Sequence, residues 1–171
     1  MQSAGWLVAA VVLAILLTAW ITFTLTRLDR LHARVDAAQA ALDAQLVRRA
    51  VAVLHVVDAP QVLVPDGTRH RYEQTARIAL EATGDTRQLA ENDVGRVVVE
   101  LVTDGPDLDE AAVAELREAA ERVLIARRFY NDAVRDTRSL RARRMPRLLH
   151  LSGRREMPQF FDIDDTVPSL G

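Results

Sequence analysis

The chain has no cysteine, no lysine and no charged side chain ahead of Arg27. Without cysteine there is no disulfide, no thiolate metal site and no cysteine nucleophile. The 22 basic residues are therefore all arginine, and against 24 acidic ones they give a formal net charge of -2. The basic excess of a nucleic-acid binder is missing, so no nucleic-acid partner is expected. Phosphate-loop, dinucleotide and serine-nucleophile signatures are missing too, and no catalytic residue or cofactor is assigned. The four histidines, His32, His55, His70 and His150, are scattered without a zinc spacing and read as surface or core residues, so no metal ligand is assigned. What remains is apolar: 49% of 171 residues are hydrophobic, enough for the core of one domain.

The uncharged run AGWLVAAVVLAILLTAWITFTLT, residues 4–26, has the roughly 20 apolar residues that a membrane-crossing helix needs. Its large apolar side chains favour insertion by roughly 3–6 kcal/mol, with no charge to oppose them. Met1 to Ser3 supplies no basic n-region, which favours a retained anchor over a cleaved signal peptide. Arg27, Arg30 and Arg34 follow the run at once and none precedes it, so the expected orientation is N-terminus outside and body in the cytoplasm.

Beyond the anchor, Leu28, Leu31, Val35, Ala38 and Leu42 alternate at spacings of three and four, a coiled-coil-like seam. This spacing predicts a first helix that continues the anchor to about Val57. Asp58 to Gly67 reads as a loop, Thr68 to Thr83 as a short helix with Tyr72, Ala76 and Ala79 inward, and Gly84 as a break. Asp85 and Gln88 have capping-box spacing for a third helix. The run VGRVVVELV, residues 94–102, has β-branched content suited to a strand, but a lone strand has nothing to pair with and helix is preferred. Asp107 or Asp109 should cap a last helix reaching about Arg143. Leu116, Val123, Tyr130 and Thr137 form its seam, with Ala119, Ala126, Ala133 and Leu140 between them. The expected fold is all-α: an N-terminal transmembrane helix continuing into an antiparallel bundle of about four helices. The division is a short tail at 1–3, an anchor at 4–26, a bundle at 27–145 and a C-terminal tail at 146–171.

Within the last helix, ARRFYNDAVRDTR, residues 126–138, sets three poor helix formers side by side. Tyr130 falls on the seam, where its ring should pack and its hydroxyl seek a partner. Asp132 should point outward and pair with Arg128 and Arg135. The acidic run Asp162, Asp164 and Asp165 lacks the glycine turn and distal glutamate of a calcium loop and reads as a solvated tail.

The segment ARRFYNDAVRD strongly resembles the ARRxYNxAV motif of the LemA family of bacterial membrane-anchored helical proteins. LDAQLVRRA, residues 42–50, is similar to that family's IDVQLKRRxD segment. Pro106-Asp107-Leu108 looks like its YPDL turn, and Met145-Pro146 and Pro158-Gln159-Phe160-Phe161 resemble its C-terminal FP and PxPFF elements. On this resemblance the motif residues are Leu42, Asp43, Gln45, Arg48 and Arg49 in the first helix and Arg127, Arg128, Tyr130, Asn131 and Asp132 in the last. Departures are plain: Val51, Leu54 and His55 replace the family's Asp, Pro and Asn, Gly105 replaces the tyrosine of the turn, and Ala120 stands for a glutamate. The resemblance implies a divergent member: an anchored helical scaffold of a bacterial cell membrane that binds another membrane or envelope protein, with no established reaction.

An alternative of another class is a Nudix-type hydrolase of nucleoside diphosphate derivatives, because residues 105–124 resemble that family's box. The match is imperfect. Glu110 is one residue too close to Gly105, and Arg122 takes the place of a metal-binding glutamate, where a cation repels Mg²⁺. Finally, Arg135 to Arg155 concentrates eight arginines among leucines. If the fourth helix returns to the bilayer, Arg141, Arg143, Arg144, Arg147, Arg154 and Arg155 would face anionic lipid, so the lipid bilayer is an expected partner.

Overall fold

The structure, a computed structural model, describes residues 2–104, 108–142 and 156–164. Among the described residues every regular element is helical and there is no strand: α1 is Gln2–Asp58, α2 Asp66–Glu81, α3 Asp85–Thr103 and α4 Glu110–Arg141. The 94–102 run is thus helix, as expected from its lack of a pairing partner.

Two compact units divide the chain, one of residues 1–37 and 132–159, the other of 38–131 and 160–171. In the first, α1 presents Leu28, His32 and Val35 as a buried stripe, and α4 buries Ala133, Val134, Thr137 and Leu140. Arg34 donates to Asp136 at 2.9 Å across the two helices. The apolar stretch near the start of α1 behaves differently. It is long and apolar enough to cross a membrane, and only 6% of its most apolar window is buried within the protein. A helix that is apolar all round belongs either in a protein core or in a bilayer; here Trp6, Leu7, Leu13, Ile15 and Phe23 are not covered by protein.

The second unit has a core of small and β-branched side chains. Val53, Val56 and Val57 of α1 meet Tyr72, Ala76 and Ala79 of α2, Val94, Val97, Val98 and Leu101 of α3, and Leu116 and Ala120 of α4. The inward positions expected for α2 are those observed. His55 and Glu115 pair at 3.0 Å, toward the end of α1 and the start of α4, so these helices run antiparallel. Arg71 near the start of α2 meets Glu100 near the end of α3 at 2.5 Å, so that pair is antiparallel as well.

Arginines also close the helix ends, whose last carbonyls lack intrahelical donors. Arg69 donates to the Val57 carbonyl and, at 3.0 Å, to that of Val62, fastening the loop after α1. Arg87 donates to the Ala82 carbonyl at 3.1 Å, behind α2. Gly84 links α2 to α3 with φ +57, the left-handed region that favours glycine. Asp109 caps α4, accepting from the Ala112 amide at 2.8 Å.

Gly84 is the N-cap of α3, the Asp85 side chain expected to form a capping box lies outside the described ones, and Gln88 is engaged by another partner described below.

Candidate functional site

The Tyr-Asn-Asp triplet divides its labour. Tyr130 is 8% exposed, its ring in the seam as expected. Burial pushes its phenol above the ordinary range, and the nearby Asp43 carboxylate adds to the effect. Asp132 lies exposed and accepts from Arg135 at 2.5 Å, the i+3 half of the pairing expected of it.

Asn131 does something the sequence did not suggest. Its amide nitrogen donates to the Phe161 carbonyl at 3.0 Å and its carbonyl accepts from the Phe161 amide at 2.9 Å. A side-chain amide has the same donor and acceptor pair as a peptide group, so Asn131 binds the backbone of Phe161 as a neighbouring β-strand would. From the other side, Gln88 accepts from the Asp162 amide at 3.3 Å and Asn92 from the Asp164 amide at 2.8 Å. Arg127 donates to the Ile163 carbonyl at 3.3 Å and stands 3.6 Å from an Asp162 carboxylate oxygen. Residues 160–164 therefore lie in a cleft between α3 and α4, parallel to α3 and antiparallel to α4.

This placement corrects the reading of Asp162 and Asp164 as part of a solvated tail, while Asp165 lies outside the described residues. The Asp162 side chain is indeed in water, 91% exposed, but its backbone is held and Ile163 is buried. Two stretches that carry the family resemblance, ARRFYN and PQFF, are thus brought together through Asn131 and Phe161.

The first-helix motif has a separate role. Arg49 is buried and donates to the Glu91 carbonyl at 2.7 Å and to its carboxylate at 2.9 Å. The Nε of Arg87 stands 2.9 Å from the other carboxylate oxygen, an ion pair without hydrogen-bond alignment. Burial lowers the Arg49 pKa, and the Glu91 charge and hydrogen bond oppose that loss. Gly95 lies beside this guanidinium, where an added Cβ would stand 3.6 Å from Arg49 Nη1, in ordinary van der Waals contact. Leu42 is buried in the seam, Gln45 is half-buried, and Asp43, Arg48 and Arg128 are exposed.

Tyr72 donates to Glu100 at 2.8 Å under the Arg71 guanidinium, which lies 4.7 Å from the ring centre. Burial first, then the hydrogen bond to Glu100, pushes the Tyr72 phenol up to about 12. Hydrogen bonding from Arg71 holds the Glu100 carboxyl below its usual range.

Among the described residues no group of three or more His, Asp or Glu side chains could hold a metal ion. His32 is a buried core residue bonded to the Leu28 carbonyl at 2.8 Å, while His55 and His70 are exposed. Of the box that resembles the Nudix motif, Glu118 accepts from Arg122 at 2.5 Å on the surface of α4. Arg141 donates to the Glu156 carbonyl at 3.0 Å. The other arginines expected at lipid, Arg143, Arg144, Arg147, Arg154 and Arg155, lie outside the described residues, as does His150.

The chain matches no family model, no curated protein and no solved structure.

Gln88, Asn92 and Ile163 are the clamp residues that the sequence reading missed. A signal was present: Gln88 and Asn92 are side-chain amides four apart on one helix face, which is where two ligands for a single strand must stand.

Proposed function

We propose that this protein is a membrane-anchored helical scaffold of LemA type that binds another membrane or envelope protein and catalyses no reaction. The observation that carries the reading is the apolar first part of α1, whose side chains the protein leaves uncovered. In water such a surface would drive aggregation; in a bilayer it is the stable arrangement. The following arginines put the body on the cytoplasmic side. The LemA resemblance contributes the motif order, and the clamp gives two of those motifs a common physical task.

Crosslinking in native membranes followed by capture of the tagged full chain should recover a specific membrane or envelope protein. Recovery of lipid alone would contradict the reading. A reporter active only outside the membrane, fused after Gly171, should stay silent; a strong signal reverses the orientation. Incubation with Mg²⁺ and nucleoside diphosphate derivatives should give no turnover, and turnover abolished by Glu118→Gln would replace the scaffold reading with a hydrolase.

A further inference from the structure

We propose that the outer face of α1 pairs with the same face of a second copy of this chain, the two helices lying parallel and in register. The confinement of both copies to one bilayer rests on the membrane-anchored reading above.

The bundle accounts for one apolar stripe of α1. In the second unit Leu42, Leu46 and Val53 lie on one side of the helix and are buried in the core. On the opposite side Ala40, Ala44, Val47 and Val51 recur at spacings of four, three and four, and all are exposed, Val47 by 41% and Val51 by 49%. In the first unit the same alternation sets Ala33 and Ala37 on an exposed stripe and then falls on Arg30. A helix side that meets only water needs no such spacing. A heptad seam does, because apolar residues at its a and d positions keep facing a partner helix.

Small side chains alone select no occupant, but the charges on the two borders of the stripe do. With Ala37, Ala44 and Val51 at a, and Ala40 and Val47 at d, the g border carries Asp29, Asp36 and Asp43 and the e border Arg27, Arg34 and Arg48, all exposed. In a parallel pair each g residue meets the e residue five positions further along the other helix. Asp43 then meets Arg48 of the partner subunit, Asp29 meets the partner's Arg34 and Asp36 meets the partner's Ala41, so no two like charges face each other. An antiparallel pair would set aspartate against aspartate and arginine against arginine. Neither Asp43 nor Arg48 has an ion pair of its own among the described residues. Arg34 already holds Asp136 at 2.9 Å, so the Asp29 pair is the weaker of the two.

Alanine buries little surface, and the seam by itself holds two copies loosely in solution. Copies inserted in one bilayer with one orientation are already parallel and concentrated, which populates a weak contact.

The chain has no cysteine, so single cysteines in the full chain report contact without background. Under mild oxidation in native membranes, Ala44→Cys and Val47→Cys should each give several-fold more disulfide-linked dimer than Gln39→Cys, an exposed position of the same helix off the stripe. Asp43→Arg should cut the Ala44→Cys dimer several-fold, and adding Arg48→Asp should restore it, since the exchange re-forms the ion pair in a parallel dimer and in no antiparallel one. Equal yields at all three cysteine positions, or no dimer from the stripe, overturn the proposal. So does a yield indifferent to Asp43→Arg, or one that the charge exchange fails to restore. A stripe cysteine joined only to a different polypeptide also overturns self-pairing, and leaves the scaffold reading in place. Carbonate extraction of the same membranes tests the anchor separately: release of the chain removes the anchored reading whether or not the disulfides form.

Discussion

Two stretches of α1 are rich in the same aliphatic residues and treat them in opposite ways. Between Trp6 and Phe23 the apolar side chains lie on every side of the helix and are exposed; between Leu42 and Val57 they form a face, and Leu42, Leu46, Val53 and Val57 are buried. Charge and periodicity together separate these stretches, since the first carries no charged residue and the second has Asp43, Arg48 and Arg49. An apolar surface all round asks for an apolar solvent, and a stripe with Asp43 and Arg48 exposed beside it asks for protein on one side and water on the other. The second stretch also admits a charge into its buried face, Arg49, because Glu91 is there to meet it.

The strongest way to break the comparison is one substitution made twice. Leu46→Asp places a carboxylate at a position with 0% exposure and should cost more than about 4 kcal/mol, unfolding the body. Leu13→Asp, at 67% exposure, should leave unfolding of the body unchanged while weakening membrane insertion by about 2.5–3.5 kcal/mol. Urea unfolding in detergent and carbonate extraction of membranes read the two effects separately. Equal loss of fold from both would mean that the first stretch is part of the core.

Next in size is the buried pair. Glu91→Leu strands the Arg49 charge and should cost about 3–5 kcal/mol, whereas Glu91→Leu with Arg49→Met should recover most of it. A double variant no better than the single one would show that shape, not charge, sets the loss. Tyr130→Ala should likewise cost about 3–5 kcal/mol as a buried aromatic lost, but Tyr130→Phe only about 0.5–1.5 kcal/mol. Thermal melts of the full chain distinguish these, and a wild-type melt for the alanine variant would place Tyr130 outside the core.

A smaller effect sharpens the picture by pH. The chain has only two tyrosines, and both phenols are held above their ordinary value, Tyr72 at about 12. A raised folded pKa means that the unfolded chain ionises first, so stability is full below about pH 10 and declines as pH rises towards 12. Phenolate absorbance should therefore show no step at pH 10 in the folded protein, and Tyr72→Phe should flatten the alkaline loss of stability. A full-amplitude step at pH 10 would mean that both rings are open to water.

Much of this architecture was legible because it follows from spacing. The helix breaks at Gly84, the inward face of α2 and the seam through Leu116, Val123, Tyr130 and Thr137 all come from period and turn chemistry. The clamp was not legible, because its two sides are joined only by tertiary structure: Asn131 and Phe161 are thirty residues apart, and nothing local in FFDID suggests that its backbone is held. The bond from the Asp162 amide to Gln88 was hidden for a related reason, since the spacing of Gln88 to Asp85 suggests a capping box and the Asp162 amide is 74 residues away. Glu91 could not be matched to Arg49 either, since the pair is forty-two residues apart and depends on how α1 and α3 meet.

The claim that Asn131 of the Tyr-Asn-Asp triplet serves to hold an extended segment is tested most directly by amide hydrogen exchange at Phe161. Its N–H donates to Asn131 at 2.9 Å, so in the full-length protein it should exchange many-fold more slowly than an unstructured amide, and Asn131→Leu should remove that protection while the amides of α4 keep theirs. Exchange of the wild-type Phe161 amide at the unprotected rate would contradict the account.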